Sequence, residues 1–231
     1  MGKRIISQAR GKGSLTYQAR KKAFIYRVGY PMGTGDAHVI GLLHSAAHSA
    51  PLLKIKIGKE IFYNPAFNGA MLDQSVSIGD IIKDGNIVML KLIPAGTHIY
   101  NLERNPGDGG KMVRTAGNSA IVHKHYEFDK VGVTMPNKME VILDGHCRAT
   151  IGIIAGDGRQ QKPFITAGKM FYKKKAKNKM WPRTSAVKMN AVDHPFGSGR
   201  GKRIKSKIAK RNAPPGRRVG HLRPRRTGKR K

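Results

Sequence analysis

The sequence predicts a mainly β protein in which a strand-rich centre is flanked by long, basic and irregular extensions. Short runs rich in Val, Ile and Leu recur between about residues 37 and 155, and Gly, Pro, Asn and Asp separate them. Runs of this length and spacing are typical of strands in small antiparallel barrels or sandwiches. A hydrophobic content of 39% also suits a small core with solvated arms better than one globule of 231 residues.

The first 35 residues are predicted to form a basic N-terminal arm. They show little hydrophobic periodicity, so we do not expect this arm to fold alone. Its cations are Lys3, Arg4, Arg10, Lys12, Arg20, Lys21, Lys22 and Arg27.

The centre is predicted to contain two small barrels in tandem, the first at residues 36–84 and the second at residues 85–160. The break is placed in SIGDIIKDGN, where Gly, Asp and Asn cluster as turn formers. The predicted strand runs are AHVIGLL, LLKIKI, EIFY, NIVMLKLI, SAIVHKH, MEVILD and RATIGIIAG.

Residues 161–231 are predicted to form a basic C-terminal extension. No acidic residue follows Asp193, whereas Lys and Arg continue to the end of the chain. Such a segment gains order when a partner supplies the counter-charge. A solubilising tail is the alternative, but dense guanidinium groups around Pro214-Pro215-Gly216 favour nucleic-acid binding.

The charge balance of the whole chain predicts a polyanionic partner. Against 45 Lys and Arg stand 13 Asp and Glu, a formal net charge of +32. A membrane surface would require a basic amphipathic helix or a hydrophobic span of about 18 to 20 residues, and neither is evident. The N-terminal sequence MGKRIISQARGKG lacks the apolar centre of a signal peptide, so we expect a cytoplasmic protein.

Motifs for phosphate-binding loops and metal sites fit poorly. Gly201-Lys202 and Gly168-Lys169 lack the other residues of a P-loop. The spacing in HSAAH would suit zinc on a helix, but the glutamate that activates water is missing. A single cysteine excludes an internal disulfide and a multi-thiolate zinc site. Four other side chains could meet at a metal, although nothing in their spacing requires it: His123, His125, His146 and Cys147.

The segment KMNAVDHPFGSGRGKR places Asp193 beside His194. Neighbouring residues on an extended chain point to opposite sides, which argues against a catalytic dyad. Gly197 and Gly199 allow the backbone to approach another surface closely, and Arg200, Lys202 and Arg203 supply cations. We expect a loop pressed into folded RNA, with His194 stacking or hydrogen-bonding there.

Three long stretches carry a family resemblance: PAGTHIYNLERNPGDGGKMVRTAGNSAIV, HCRATIGIIAGDGR and KMWPRTSAVKMNAVDHPFGSGRG. Through them the sequence resembles the universal large-subunit ribosomal protein L2 family, in its archaeal and eukaryotic form and most like the archaeal one. The resemblance implies an OB-type barrel followed by an SH3-like barrel, with both extensions in 23S-type rRNA. It also implies neighbouring ribosomal proteins, a place near the peptidyl transferase region and a bridge to the small subunit. No cofactor is expected beyond Mg²⁺ held by the rRNA.

The resemblance places Arg114 and Arg148 where the central region of the family faces rRNA. Their planar guanidinium groups could bind phosphate or base edges, whereas the alternative is an ion pair with an acid such as Glu140 or Asp144. The complete set of predicted RNA-binding residues is Arg10, Lys12, Arg114, Arg148, Arg159, Trp181, Arg183, His194, Arg200, Lys202, Arg203, Arg217 and Arg218.

His194 matches the histidine of the family's DHP motif, which has been discussed in connection with peptide-bond formation. Phe196 stands where bacterial relatives have a second histidine, so a mechanism that needs both imidazoles cannot operate. We therefore predict a non-enzymatic structural protein. Two alternatives stay open: a catalytic assistant with His194 as general base, and an RNA-binding protein that acts outside the ribosome.

Overall fold

The computed structural model describes residues 2–18, 20–159, 161–200 and 208–222. The chain divides into two units. We call Lys21–Ile165 the sheet lobe, and we call Met1–Arg20 together with Thr166–Lys231 the basic lobe.

The sheet lobe contains a ten-stranded sheet in the order β3-β2-β1-β4-β5-β10-β6-β7-β8-β9. Only β4 and β5 pair in parallel; the other pairs are antiparallel. The predicted mainly β fold is confirmed, and it is consistent with an OB-type barrel followed by an SH3-like barrel. The strands are β1 Gly35–Leu43, β2 Leu52–Ile57, β3 Glu60–Pro65, β4 Ser75–Ile78, β5 Ile87–Met89, β6 His98–Tyr100, β7 Ala120–Tyr126, β8 Lys130–Thr134, β9 Glu140–Asp144 and β10 Arg148–Ile151.

Every predicted run contains a strand, whereas β4, β6 and β8 were missed. Each missed strand is five residues or shorter. Strand β8 carries Gly132 at its centre, which weakens the local signal. It forms because β7 and β9 pair with it on both sides.

Two hydrophobic clusters form the core of the sheet lobe. The first is built mainly from β1 to β4 and the second mainly from β7 to β10. Successive side chains of a strand face opposite sides, so Ile87 joins the first cluster and Val88 the second. In the same way, Tyr100 joins the first cluster and Ile99 the second. The predicted barrel boundary between residues 84 and 85 stays a prediction.

Within the described residues of the basic lobe, the α-helices are α1 Ile6–Lys12 and α2 Ala167–Ala176, and the strands are β11 Ile208–Ala209 and β12 His221–Leu222. Helix α1 ends at Gly13, whose φ of 71° closes the last turn. The two arms contact each other: the Lys3 N–H donates to the Val192 carbonyl at 2.8 Å, and Gly216 packs against the Gln8 side chain. These contacts supply order that neither basic arm encodes locally. Of the helices in the described ranges, none is long and apolar enough to cross a membrane.

Candidate nucleic-acid interface

The two lobes differ sharply in charge. The basic lobe has 28 Lys and Arg against one acidic residue, Asp193, which gives a formal net charge of +27. The sheet lobe has 17 Lys and Arg against 12 Asp and Glu, which gives +5. A polyanion is therefore attracted mainly by the basic lobe.

The segment around His194 is a closed turn. The N–H groups of Asp193 and His194 both donate to the Asn190 carbonyl, at 3.0 and 3.3 Å. The expectation that this segment is an extended chain is wrong at Asp193, because these hydrogen bonds fold it back on itself. Gly197 is buried, and a Cβ added there would collide with the Asn190 carbonyl, so the turn requires glycine at this position.

The His194 ring is held by the residue that follows Pro195. The Phe196 N–H donates to His194 Nδ1 at 3.0 Å, and the two ring centroids lie 5.1 Å apart. Burial lowers the pKa of His194 below its usual range. The neutral ring therefore carries its proton on Nε2, which can donate a hydrogen bond. The Asp193 carboxylate lies 3.7 Å from the Lys3 ammonium, so its ion pair is with Lys3.

Arg10, Arg183 and His194 meet at one cavity of about 310 Å³. The hydroxyl-bearing residues Ser7, Thr184 and Ser185 also line it, and among the described residues no acidic one does. Guanidinium, hydroxyl and imidazole N–H groups are all donors suited to phosphate oxygens. The fold thus brings Arg10 of the N-terminal arm together with Arg183 and His194 of the C-terminal extension.

A second cavity touching His194 has a volume of about 870 Å³. Its lining includes the cations Lys3, Arg4, Lys210 and Arg217, and no acidic residue of the described ranges. Arg217 is one of the predicted RNA-binding residues, whereas Arg4 was named only as a cation of the N-terminal arm. His194 therefore lies between two cavities lined by cations.

The other predicted residues of the basic lobe are more scattered. Lys12, Arg200 and Arg218 are exposed. Trp181 is half-buried and lines a separate cavity of about 450 Å³. Lys202 and Arg203 lie outside the described residues.

In the sheet lobe, Arg148 is held by Glu103. The Glu103 side chain is fully buried and that of Arg148 is 14% exposed. Arg148 Nη2 and Nε donate to Glu103 Oε1 at 2.9 and 3.3 Å, and its backbone N–H donates to Oε2 at 2.8 Å. Nη1 donates to the Pro31 carbonyl at 2.7 Å. An acidic partner for Arg148 was considered, but it is Glu103, not Glu140 or Asp144.

Glu103 also organises the loop that follows it. Its carboxylate accepts the N–H groups of Gly107 and Gly109 at 3.2 and 3.0 Å. Nothing in the spacing of the sequence identified Glu103. The signal that could have done so is an acid at the start of the glycine-rich stretch ERNPGDGG, because the N–H groups of such a loop can satisfy a carboxylate.

Arg114, like Arg148, donates a hydrogen bond to a backbone carbonyl of the protein. Its Nη2 donates to the Val28 carbonyl at 2.7 Å, and desolvation by burial lowers its pKa from the usual value for arginine. Tyr30 lies beside Arg148. Its hydroxyl donates to the Asn101 carbonyl at 2.7 Å, and its ring centroid is 5.3 Å from the Arg148 guanidinium carbon. Arg159 is half-buried, and its Nη1 has no hydrogen-bond partner within the described ranges. RNA contact by these arginines stays a prediction.

Four of the histidines considered as metal ligands contact other protein groups: His48, His123, His125 and His146. His44 and His48 lie in a turn after β1, not on a helix, and His48 Nδ1 is 2.8 Å from Ser45 Oγ. His125 Nε2 donates to the Ile93 carbonyl at 2.9 Å.

The remaining candidates are similarly engaged. His123 lies 3.6 Å from Glu140, and His146 lies 2.9 Å from Asp144. Cys147 is buried, which raises its pKa to about 11. In the part of the chain that the structure describes, no three His, Cys, Asp or Glu side chains are placed to hold a metal ion.

Comparisons with known proteins agree with the sequence resemblance. Residues 83–216 match the family described as Ribosomal Proteins L2, C-terminal domain. The large ribosomal subunit protein uL2 of Archaeoglobus fulgidus is 45% identical over 239 residues, covering 100% of both chains. The uL2 proteins of Methanocaldococcus jannaschii and Korarchaeum cryptofilum are each 40% identical, covering 100% of this chain and 100% and 97% of theirs. The chain therefore belongs to the uL2 family of large ribosomal subunit proteins, in its archaeal type.

Proposed function

We propose that the protein binds large-subunit rRNA chiefly through its basic lobe. Membership of the uL2 family makes the chain a structural protein of the large ribosomal subunit, which is cytoplasmic in archaea. The observation that carries the proposal is the placement of Arg10, Arg183 and His194 around one cavity that no acidic residue lines. Phosphate contacts of this kind supply affinity and fix register on folded RNA.

The bound lobe supports the peptidyl transferase region and the association of the two subunits. In support, the turn that carries His194 is closed by backbone hydrogen bonds and can present a neutral imidazole to neighbouring RNA. In this assembly, neighbouring ribosomal proteins and the small subunit are further partners. Mg²⁺ takes part only as an ion of the rRNA.

The hydrogen bonding of His194 argues against a role as general base. A general base needs a free lone pair within reach of the proton that it removes. The lone pair of Nδ1 already accepts the Phe196 N–H at 3.0 Å, and Nε2 of the neutral ring carries a proton. We infer that His194 donates a hydrogen bond to RNA and does not take a proton from a reacting amine.

The first experiment measures how the affinity for an rRNA fragment depends on salt. Each phosphate contact contributes about 0.7 to 0.9 to the slope of log K against log salt. Arg10→Gln with Arg183→Gln should lower the slope by between about 1 and 2. The matched control is Lys56→Gln with Lys59→Gln, which removes two exposed cations of the sheet lobe. Equal slopes for the two double variants would contradict binding through the cavity.

The second experiment separates positioning from catalysis. His194→Gln keeps a side-chain N–H donor, so assembly and activity should largely persist, whereas His194→Ala should weaken assembly or subunit joining first. Proton transfer by a positioned histidine is worth about 10² to 10⁴ in rate. A hundredfold loss of peptidyl transfer by both variants in fully assembled particles, with normal occupancy, would identify a catalyst.

Release of the protein from large subunits by a high-salt wash would favour the alternative role outside the ribosome.

A further inference from the structure

A cavity of about 450 Å³ in the basic lobe is lined by three aromatic side chains and lies apart from those that touch His194. Tyr17 comes from the turn after α1, Phe171 from α2 and Trp181 from the segment after α2. The Tyr17 hydroxyl donates to Met180 Sδ at 3.4 Å, which holds the N-terminal arm against this segment. Trp181 is half-buried, so part of its surface is open to a ligand.

The same cavity is electropositive. Arg20, Lys175 and Lys179 line it, and none of its lining residues is acidic. Lys175 Nζ lies 5.5 Å from the centroid of the Phe171 ring. The amide side chains of Gln18 and Asn178 add groups that can both donate and accept hydrogen bonds.

Each of these components matches one part of an unpaired nucleotide. Aromatic rings stack on a base, Lys and Arg bind its phosphate, and amides can pair with its edge. An apolar side chain from another protein would use the rings but leave three cations without counter-charge. The volume is also within the range of small-ligand sites, about 300 to 1,000 Å³.

We propose that this cavity binds a single RNA base that is unstacked from its helix, such as a bulged nucleotide, with the Trp181 ring as a stacking surface. The proposal rests on the proposed rRNA binding and adds to it a discrete site for one nucleotide. Charge alone does not distinguish paired from unpaired RNA in this way, because phosphate contacts carry no information about the base.

The test uses the full chain and three labelled hairpin RNAs of equal length. One has a bulged adenosine, one is fully paired, and one has an abasic nucleotide at the bulge. Trp181 is the single tryptophan of the chain, so its fluorescence reports directly on stacking. The bulged RNA should quench Trp181 and bind about tenfold more tightly than the other two, because stacking on an aromatic side chain is lost in both.

The binding of variants is measured by the fluorescence anisotropy of the labelled RNA. Trp181→Ala should abolish the preference for the bulge, and Trp181→Phe should retain much of it. The matched control is Phe128→Ala, because Phe128 is 91% exposed and belongs to the sheet lobe. If Trp181→Ala unfolds the lobe, the abasic RNA still decides the question with the unaltered chain.

Two negative outcomes are distinguishable. Equal affinity for the three RNAs with unchanged Trp181 fluorescence, while binding remains salt-dependent, would overturn the base site and leave the proposed rRNA binding intact. Failure to bind any of the RNAs at low salt would overturn both.

Discussion

Arg148 and Arg183 carry the same guanidinium group in two different environments. In the sheet lobe, Arg148 donates to Glu103 and to the Pro31 carbonyl, and its side chain is 14% exposed. In the basic lobe, Arg183 is exposed and lines a cavity with Arg10 and without an acidic residue. The difference follows from composition, because the sheet lobe contains 12 acidic residues and the basic lobe contains one.

The comparison separates cations that serve the fold from cations that serve binding. A buried pair such as Arg148 with Glu103 is only weakly screened by salt, whereas exposed charges are strongly screened. The stability of the sheet lobe and the RNA affinity of the basic lobe should therefore respond differently to the same changes in sequence and solution. Two experiments test that distinction, and two more test how the turn around His194 holds the ring.

Truncation after Leu222 should have the largest effect on RNA binding. It removes six cations from the basic lobe, so the salt slope should fall by up to about 5, while the unfolding of the sheet lobe should not change. Filter binding of an rRNA fragment across a salt series measures the slope. The matched control changes six exposed lysines of the sheet lobe to Gln: Lys56, Lys59, Lys83, Lys91, Lys111 and Lys130. A similar loss in that control would break the distinction between the lobes.

Arg148→Met should have the largest effect on stability. It leaves the Glu103 carboxylate buried without its cation, which costs about 3 to 5 kcal/mol. Denaturant unfolding of the full chain measures the change. Glu140→Gln is the control, because its partner His123 is 56% exposed and such a pair contributes about 1 kcal/mol or less. If both variants change the free energy of unfolding equally, Arg148 is not held chiefly by Glu103.

Gly197→Ala should disrupt the turn that carries His194. The added methyl group would collide with the Asn190 carbonyl, and overpacking of this kind costs about 1 to 3 kcal/mol. Gly11→Ala is the control in the same lobe, because no atom lies within 4 Å of a Cβ at that position. RNA affinity and the NMR signals of the His194 ring should change only in the first variant. An unchanged ring spectrum in Gly197→Ala would mean that the turn does not position the histidine.

The smallest effect is the pH response of His194. Burial lowers its pKa in the folded protein, so the neutral ring is favoured by folding. This contribution is complete above the unfolded pKa of about 6.5 and is lost as the pH falls through the folded value. Protonation of Nδ1 also removes the acceptor for the Phe196 N–H. An NMR titration of the ring should give a midpoint below 6.5, and Gly197→Ala should raise it; a midpoint above 6.5 would contradict the desolvation of the ring by the folded protein.

Much of the sheet lobe could be predicted because strand signals are local. The run LLKIKI became β2 and MEVILD contains β9, since hydrophobic residues in short runs between turn formers identify a strand from its own residues. Strand β6 has only three residues, HIY, and it exists because β10 and β7 pair with it. Helices α1 and α2 lie in arms whose charge predicted irregular structure, and next to α1 the Lys3 N–H donates to the Val192 carbonyl of the other arm.

By itself, the sequence determined the mainly β centre, the excess of positive charge at both ends and membership of the family. Each of these depends on composition or on residues that are close along the chain. Only the tertiary structure decided that Glu103 neutralises Arg148 and that Arg10 and Arg183 share a cavity with His194. The reason is physical: these groups are far apart in sequence, and their distances are set by strand pairing and by contacts between the two arms, which no local pattern encodes.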